Sequence, residues 1–359
     1  VYKRQQQHLV KVPTDESWAL NPDALRRAIE ADHAAGYLPA GVVLCVGGTS
    51  IGASDHVRET IEVAREHDLY VHVDAAWAGS AMICPEVREL WEGVEAADSI
   101  VFNPHKWLGA QFDCSIQFLA DPEPQVRTLG IRPDYLQTLG QSEVTNYSEW
   151  TIPLGRRFRA LKLWFLLRAH GLEDLRQRIR NHIAWAEEAA ASIAALDSFR
   201  LTTDCHLSLF TFQYAPDGEN ANDATERLLR AVNDDGRIYL TQTMHEGQFV
   251  IRFQVGQFDC QREDVLLAVD VLFRGGGLDR DLGVPMVGRA DVDAVDVRAV
   301  EHLAVVRVGA AREVAVALID HAARGLAAAH RAVPVASALA VDVADSDNAA
   351  AVVLQEALH

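Results

Sequence analysis

The sequence predicts an α/β fold in two parts, an open and mainly parallel sheet followed by a smaller α/β unit with a mainly antiparallel sheet. Three observations carry that expectation. A short unbroken apolar run at 41–46 and two further largely apolar runs at 70–73 and 99–102 read as buried strands of a parallel sheet. A helical pattern at about 57–66 separates the first two of them. Beyond residue 158, helices alternate with strand-like runs of modest size, which suits a small, mainly antiparallel unit.

Each element has its own justification. Asn21-Pro22 supplies a cap residue and a first-turn proline, helical periodicity runs over 23–35, and Gly36 closes it. The strand at 41–46 leads into the loop Gly47-Gly48-Thr49-Ser50-Ile51-Gly52. The second strand ends at Asp74, and the third just before Asn103-Pro104-His105-Lys106. Open α/β sheets bind ligands beyond the carboxyl ends of their strands. All three ends are polar here, at Thr49, Asp74 and the Asn103-to-Lys106 run. From Phe158 helix periodicity continues to Leu196, interrupted at Gly171. Strands at 207–214, 238–243 and 249–255 then alternate with helices at 222–232 and from about Arg262.

Composition narrows the function classes. A chain of 359 residues is long enough for two domains, and its 49% hydrophobic content is that expected of a soluble globular protein. No uncharged apolar stretch reaches about eighteen residues, so no membrane span is expected. No secretory signal is recognisable either, and the absence of an initiating Met suggests a fragment. The formal charge of −18 argues against nucleic acid or an anionic membrane as partner. Five dispersed cysteines without a Cys-x-x-Cys pair point to a reducing cytosol, with neither a disulfide framework nor a metal site.

Two residues stand out chemically. A lysine amine attacks a carbonyl only when neutral, which calls for a desolvated pocket or neighbouring cations. His105 and the apolar Trp107-Leu108 around Lys106 suit that need, although a His-Lys pair alone is ordinarily surface. Asp74 ends an apolar strand and precedes Ala75-Ala76-Trp77-Ala78-Gly79. There it either keeps a pyridine nitrogen protonated or simply caps the segment that follows.

Three segments, in order and in register, carry a resemblance. His72 to Glu86, the pair Ala97-Asp98-Ser99 with Asn103 to Trp107, and Ile152 to Arg159 resemble the group II pyridoxal-phosphate-dependent amino-acid decarboxylases, within them the aromatic-L-amino-acid decarboxylase group. The similarity runs from about Leu9 to about Phe273. It implies the type I pyridoxal-phosphate-dependent transferase fold, with 1–157 as the C-terminal part of the large domain and 158–275 as the small domain. It implies pyridoxal 5'-phosphate as cofactor, held on Lys106 as an internal aldimine. Asp74 would lie on the pyridine nitrogen, Ala76 against the ring, Thr49 and Asn103 in contact with the cofactor, and His105 nearby. It also implies a homodimer.

A catalytic loop near 131–148 would bring Tyr135 to protonate Cα after carbon dioxide leaves. The residues flanking Asp74 and Lys106, with Gly155, resemble members acting on aromatic substrates. The expected reaction is decarboxylation of an aromatic L-amino acid. The alternatives are an aldehyde synthase of the same family, which has Phe where this chain has Tyr135, and an inactive fragment that only dimerises. The family's phosphate loop and ring-stacking His have no counterpart before Leu9. Residues 276–359 contain no Lys, Cys, Thr or aromatic residue. Their Ala/Val-rich composition favours non-native sequence over an added helical segment, and no site is expected there.

Overall fold

The computed structural model describes residues 9–130 and 145–275, all within one compact unit. Tyr135, most of the expected catalytic loop and the Ala/Val-rich tail lie outside the described residues.

The first part is a four-stranded sheet in the order β1-β2-β3-β4. Helix α1 (Pro22–Ala34) is capped by Asn21, whose side chain accepts from Ala24 N, with Pro22 at the first turn. Strand β1 (Gly41–Cys45), helix α2 (Val57–Glu66) and strand β2 (Tyr70–Asp74) follow, then three short 3₁₀ turns between Ala78 and Ala96. Strand β3 (Ser99–Phe102) continues the parallel set, and β4 (Ile116–Leu119) closes it antiparallel to β3. The parallel register sets Cys45 against Asp74 and Asp74 against Val101, so three strands end along one edge.

One expectation needs correction. The apolar runs predict strands buried on both faces, but Val43 is 65% exposed and Tyr70 is 47% exposed. Leu44, Val71 and Val73 face the core, while the alternate positions of β1 face away from it. Val and Tyr on an uncovered face keep a run apolar in sequence, so the period-two alternation is hidden.

After helix α3 (Glu123–Leu129) and a 3₁₀ turn (Tyr147–Trp150), the long helix α4 (Arg159–Ala194) breaks at Gly171, where φ is +72°. The second sheet has the order β5-β6-β8-β7 and is antiparallel throughout. Its strands are β5 (Phe199–Leu201), β6 (Leu209–Tyr214), β7 (Thr241–His245) and β8 (Gln248–Gln254). Helices α5 (Ala221–Asp235) and α6 (Arg262–Gly275) pack on it. Strand β5 was not anticipated. The strand expected at 238–243 begins only at Thr241, because Leu240 is held by Asn233 through both its N–H and its carbonyl.

Two apolar clusters result. Leu44, Val46, Val71, Val73 and Ile61 form the first, and Phe210, Phe212, Ile251, Phe253 and Val271 the second. Helix α4 serves both, through Ile179 in the first and Ile193 in the second. No helix among the described residues is long and apolar enough to cross a membrane.

Between those two positions on α4, the His182 ring is fully buried, and burial, then the nearby Arg178 charge, pushes its pKa down to about 4 from an ordinary value of 6.5. The folded state therefore holds His182 neutral where the unfolded chain would bind a proton. This stabilisation is complete above about pH 6.5 and is lost as pH falls towards about 4. His182→Asn has nothing to titrate and should remove up to one proton from the slope of stability against pH in that window. Urea midpoints measured across the range would give parallel curves for the two proteins if the ring were protonated in the fold.

Candidate active site

The carboxyl edge of the first sheet gathers the polar strand ends into one place, and backbone bonds fix their spacing. Val46 N–H donates to Asp74 O at 2.9 Å, and Ala75 N–H donates to Val101 O at 2.9 Å. Beyond the strands, Asn103 N–H donates to Ala76 O at 2.8 Å, which ties the loop after β3 to the loop after β2. Asp74, at the end of β2, and Lys106, in the loop after β3, are thus carried on segments joined to each other.

The loop after β1 is held from below by a carboxylate. Asp55 accepts from Cys45 N at 2.6 Å and from Leu20 N at 2.7 Å, while its own N–H donates to Cys45 O. Burial raises the Asp55 pKa in spite of these two donors. Within the loop, Gly52 N–H donates to Gly48 O at 2.8 Å and Thr49 sits exposed on the turn. Gly47 has φ +78°, and a Cβ there would lie 2.4 Å from the Ala78 Cβ. The loop carrying Thr49 therefore packs directly on the segment following Asp74.

Asp74 is half-buried, and Oδ1 accepts from Ala76 N at 2.9 Å. The capping role weighed for Asp74 is thus real but occupies one oxygen only. Oδ2 has no hydrogen-bond partner among the described residues. Ala76 is half-buried beside it. Asn103 is oriented by Ser115, whose hydroxyl donates to Asn103 Oδ1 at 2.5 Å. Cys45 registers the charges of the edge: burial, then Asp74 and Asp55, push its thiol up to about 12, with Lys106 acting in the opposite direction.

Lys106 departs from expectation. It is exposed, while Trp107 and Leu108 after it are buried. The apolar neighbours lie beneath the turn instead of around the amine, because the chain turns sharply through 104–108. His105 is held by Cys114. Its Nδ1 lies 2.6 Å from Cys114 O and 3.1 Å from Cys114 N, and one ring nitrogen can serve only one of them. The shorter contact assigns Nδ1–H as donor to the carbonyl, and the ring meets Phe112 edge-on.

Sequence reasoning missed the support behind these residues. Asp55 lies six residues beyond Thr49, and Arg178 and His182 lie more than seventy beyond Lys106. No local pattern links such distant positions. Among the described residues no cluster of His, Cys, Asp or Glu could hold a metal ion.

With this geometry in view, residues 4–215 match the family model described as "Pyridoxal-dependent decarboxylase conserved domain". An aromatic-L-amino-acid decarboxylase of Drosophila lebanonensis is 40% identical over 72% of this chain and 63% of its own length. A phenylacetaldehyde synthase of Petunia hybrida is 38% identical, over 68% of this chain and 51% of its own. The crystal structure of Oryza sativa TDC with PLP and tryptamine superposes with a TM-score of 0.72 at 34% identity, covering 75% of this chain and 57% of that one. The chain therefore spans between half and two thirds of the length of these relatives.

Gly47→Ala should test the packing of the first two loops. The added methyl meets Ala78 and the positive φ disfavours any side chain, so stability should fall by about 1–3 kcal/mol in urea titrations. Unchanged stability would mean that the loops are not in contact.

Proposed function

The chain belongs to the pyridoxal-dependent decarboxylase family, and from this we propose that the protein, with pyridoxal 5'-phosphate, decarboxylates an aromatic L-amino acid to its amine. The single observation that carries the site assignment is the bond from Asn103 N–H to Ala76 O, which keeps the aspartate and lysine loops together at one sheet edge. The substrate class rests on the aromatic-amino-acid enzymes among the similar proteins.

The residues present fit the cofactor. Asp74 offers Oδ2, without a partner among the described residues, at the end of a strand whose Val71 and Val73 are buried. Such a carboxylate holds a proton on a pyridine nitrogen by charge pairing. Ala76, with only a methyl group, leaves room for a flat ring over the strand end. Thr49 and Asn103 supply polar groups on the two flanking loops, and Lys106 supplies an exposed amine. When bound, the cofactor supplies an electron sink for the charge left at the substrate's Cα as carbon dioxide departs. Asp74 favours that charge by keeping the ring nitrogen protonated. Lys106 is the residue proposed to bind the cofactor covalently through its amine. His105, held on Cys114 through Nδ1, is proposed to lie near the cofactor. Tyr135, outside the described residues, is the proposed proton donor to Cα, with the protein acting as a homodimer.

A second reading is an aldehyde synthase, favoured by the similarity to the Petunia enzyme. Tyr135 is the residue that separates the two, since a phenol can deliver a proton and Phe cannot.

Borohydride reduction of the cofactor-loaded protein, followed by peptide mapping, should label Lys106, and label on another lysine would overturn its assignment. Asp74→Ala should lower turnover by roughly two orders of magnitude or more, and Asp74→Glu by much less. Near-normal turnover in Asp74→Ala would remove the electrostatic role. With an aromatic amino acid under air, the unmodified protein should give amine, and Tyr135→Phe should give aldehyde, ammonia and hydrogen peroxide instead. Aldehyde from the unmodified protein would favour the second reading.

A further inference from the structure

The segment that follows Lys106 is gripped from behind by two residues one turn apart on α4. Trp107 is buried, and its indole Nε1–H donates to His182 Nδ1 at 3.0 Å. An imidazole can accept at Nδ1 only if that nitrogen bears no proton, so His182 is the neutral tautomer with its proton on Nε2. Nε2 itself is buried without a partner among the described residues. A buried polar group left in that state costs free energy, and its retention here fits a ring kept for the bond its other nitrogen makes.

Arg178 holds the next residue. Its Nη2 donates to Leu108 O at 2.6 Å, and its guanidinium lies 3.6 Å from the centre of the Phe258 ring. Phe258 in turn covers Gly109, where a Cβ would come within 1.9 Å of the ring and φ is +89°. Trp77, from the aspartate loop, packs against the other side of Trp107 with ring centres 5.1 Å apart. The Lys106 turn is closed internally by Lys106 N–H to Asn103 O and Gly109 N–H to Lys106 O. On the far side it is joined to the aspartate loop at Ala76. The backbone of Lys106 is thus fixed at both flanks while its side chain stays exposed.

We infer that His182 and Arg178 are positioning residues that set the placement of the Lys106 amine relative to Asp74 by fixing Trp107 and Leu108. The inference rests on the reading of Lys106 as the cofactor lysine. Neither residue touches the reacting atoms. A displacement of the turn would misalign the amine, and small misplacements of a reacting group cost large factors in rate.

The test uses the full protein in four forms: His182→Phe, His182→Asn, Arg178→Leu and Arg178→Lys. Phe keeps an aromatic ring, somewhat larger than imidazole, but removes the acceptor, and Asn offers an amide oxygen near the position of Nδ1. Two readouts are followed beside thermal stability. One is the acetylation rate of Lys106 relative to exposed Lys11 in the cofactor-free protein. The other is the pH midpoint of the visible absorption band of the cofactor-loaded protein.

His182→Phe and Arg178→Leu should change the relative acetylation rate by roughly threefold or more and move the midpoint by about half a pH unit. His182→Asn should restore most of both, and Arg178→Lys should restore part, since an ammonium can still donate to Leu108 O but lacks the planar face set against Phe258. Lower thermal stability with both readouts unchanged would make the two residues ordinary core supports and overturn the inference. Should His182→Phe fail to fold, the Arg178 pair and His182→Asn decide it on the same readouts. Borohydride label outside Lys106 would defeat the functional reading itself. Label at Lys106 with unmoved readouts would defeat only this inference.

Discussion

The parallel register of β1, β2 and β3 is the constraint on which the site depends. Parallel pairing places Cys45 beside Asp74 and Asp74 beside Val101, so chain segments far apart in sequence emerge along one edge. Slipping β2 by one residue would turn Val71 and Val73 out of the core. The apolar packing of Leu44, Val71, Val73 and Ile61 therefore also fixes where Asp74 stands. Backbone bonds at Val46, Ala75 and Asn103 carry that order past the strand ends into the loops.

Helix α4 carries the same order from the opposite side. Arg176 Nε donates to Ile83 O at 2.6 Å, and Arg180 pairs with Glu86 at 2.5 Å, which holds the segment after Asp74. Arg178 and His182 hold the segment after Lys106. Four residues within two helical turns thus reach both sides of the site, and the same helix continues into the second apolar cluster at Ala186, Ala189 and Ile193. The polar contacts of α4 at the site and its apolar contacts in the cores are parts of one packed element.

Much of this frame was legible in the sequence. Helix α2 and strand β3 fall within a residue of the expected limits, because their apolar spacing and flanking turn residues agree. The break at Gly171 was visible as an interruption of periodicity, and the structure gives its cause in a positive φ. Less legible was anything decided by tertiary contact. Val43 reads as core and is solvent-facing; β5 is three residues long and exists through pairing with β6. The neighbours of Lys106 read as a desolvating pocket, whereas they are an anchor beneath an exposed amine. Thr49, Asp74 and Asn103 stand out in the sequence as polar residues at strand ends, and Ala76 as a small residue just beyond Asp74. Asp55, Arg178 and His182 had no such marker, since each acts on backbone or ring atoms of residues distant in the chain.

The contrast between an exposed Lys106 side chain and its buried flank has a physical logic. An amine that exchanges partners must be free to swing, and four methylenes provide that freedom only if the backbone they hang from stays fixed. If the turn moved as well, the amine would sample a volume too large to meet any one atom efficiently. Rigidity is therefore concentrated in Trp107, Leu108 and Gly109, which are held by a neutral imidazole, a guanidinium and a phenyl ring. None of these contacts consumes the lysine's own hydrogen-bonding capacity. Burying the amine itself would have desolvated it at the cost of reach. Anchoring its neighbours keeps the reach and still defines the origin of the swing.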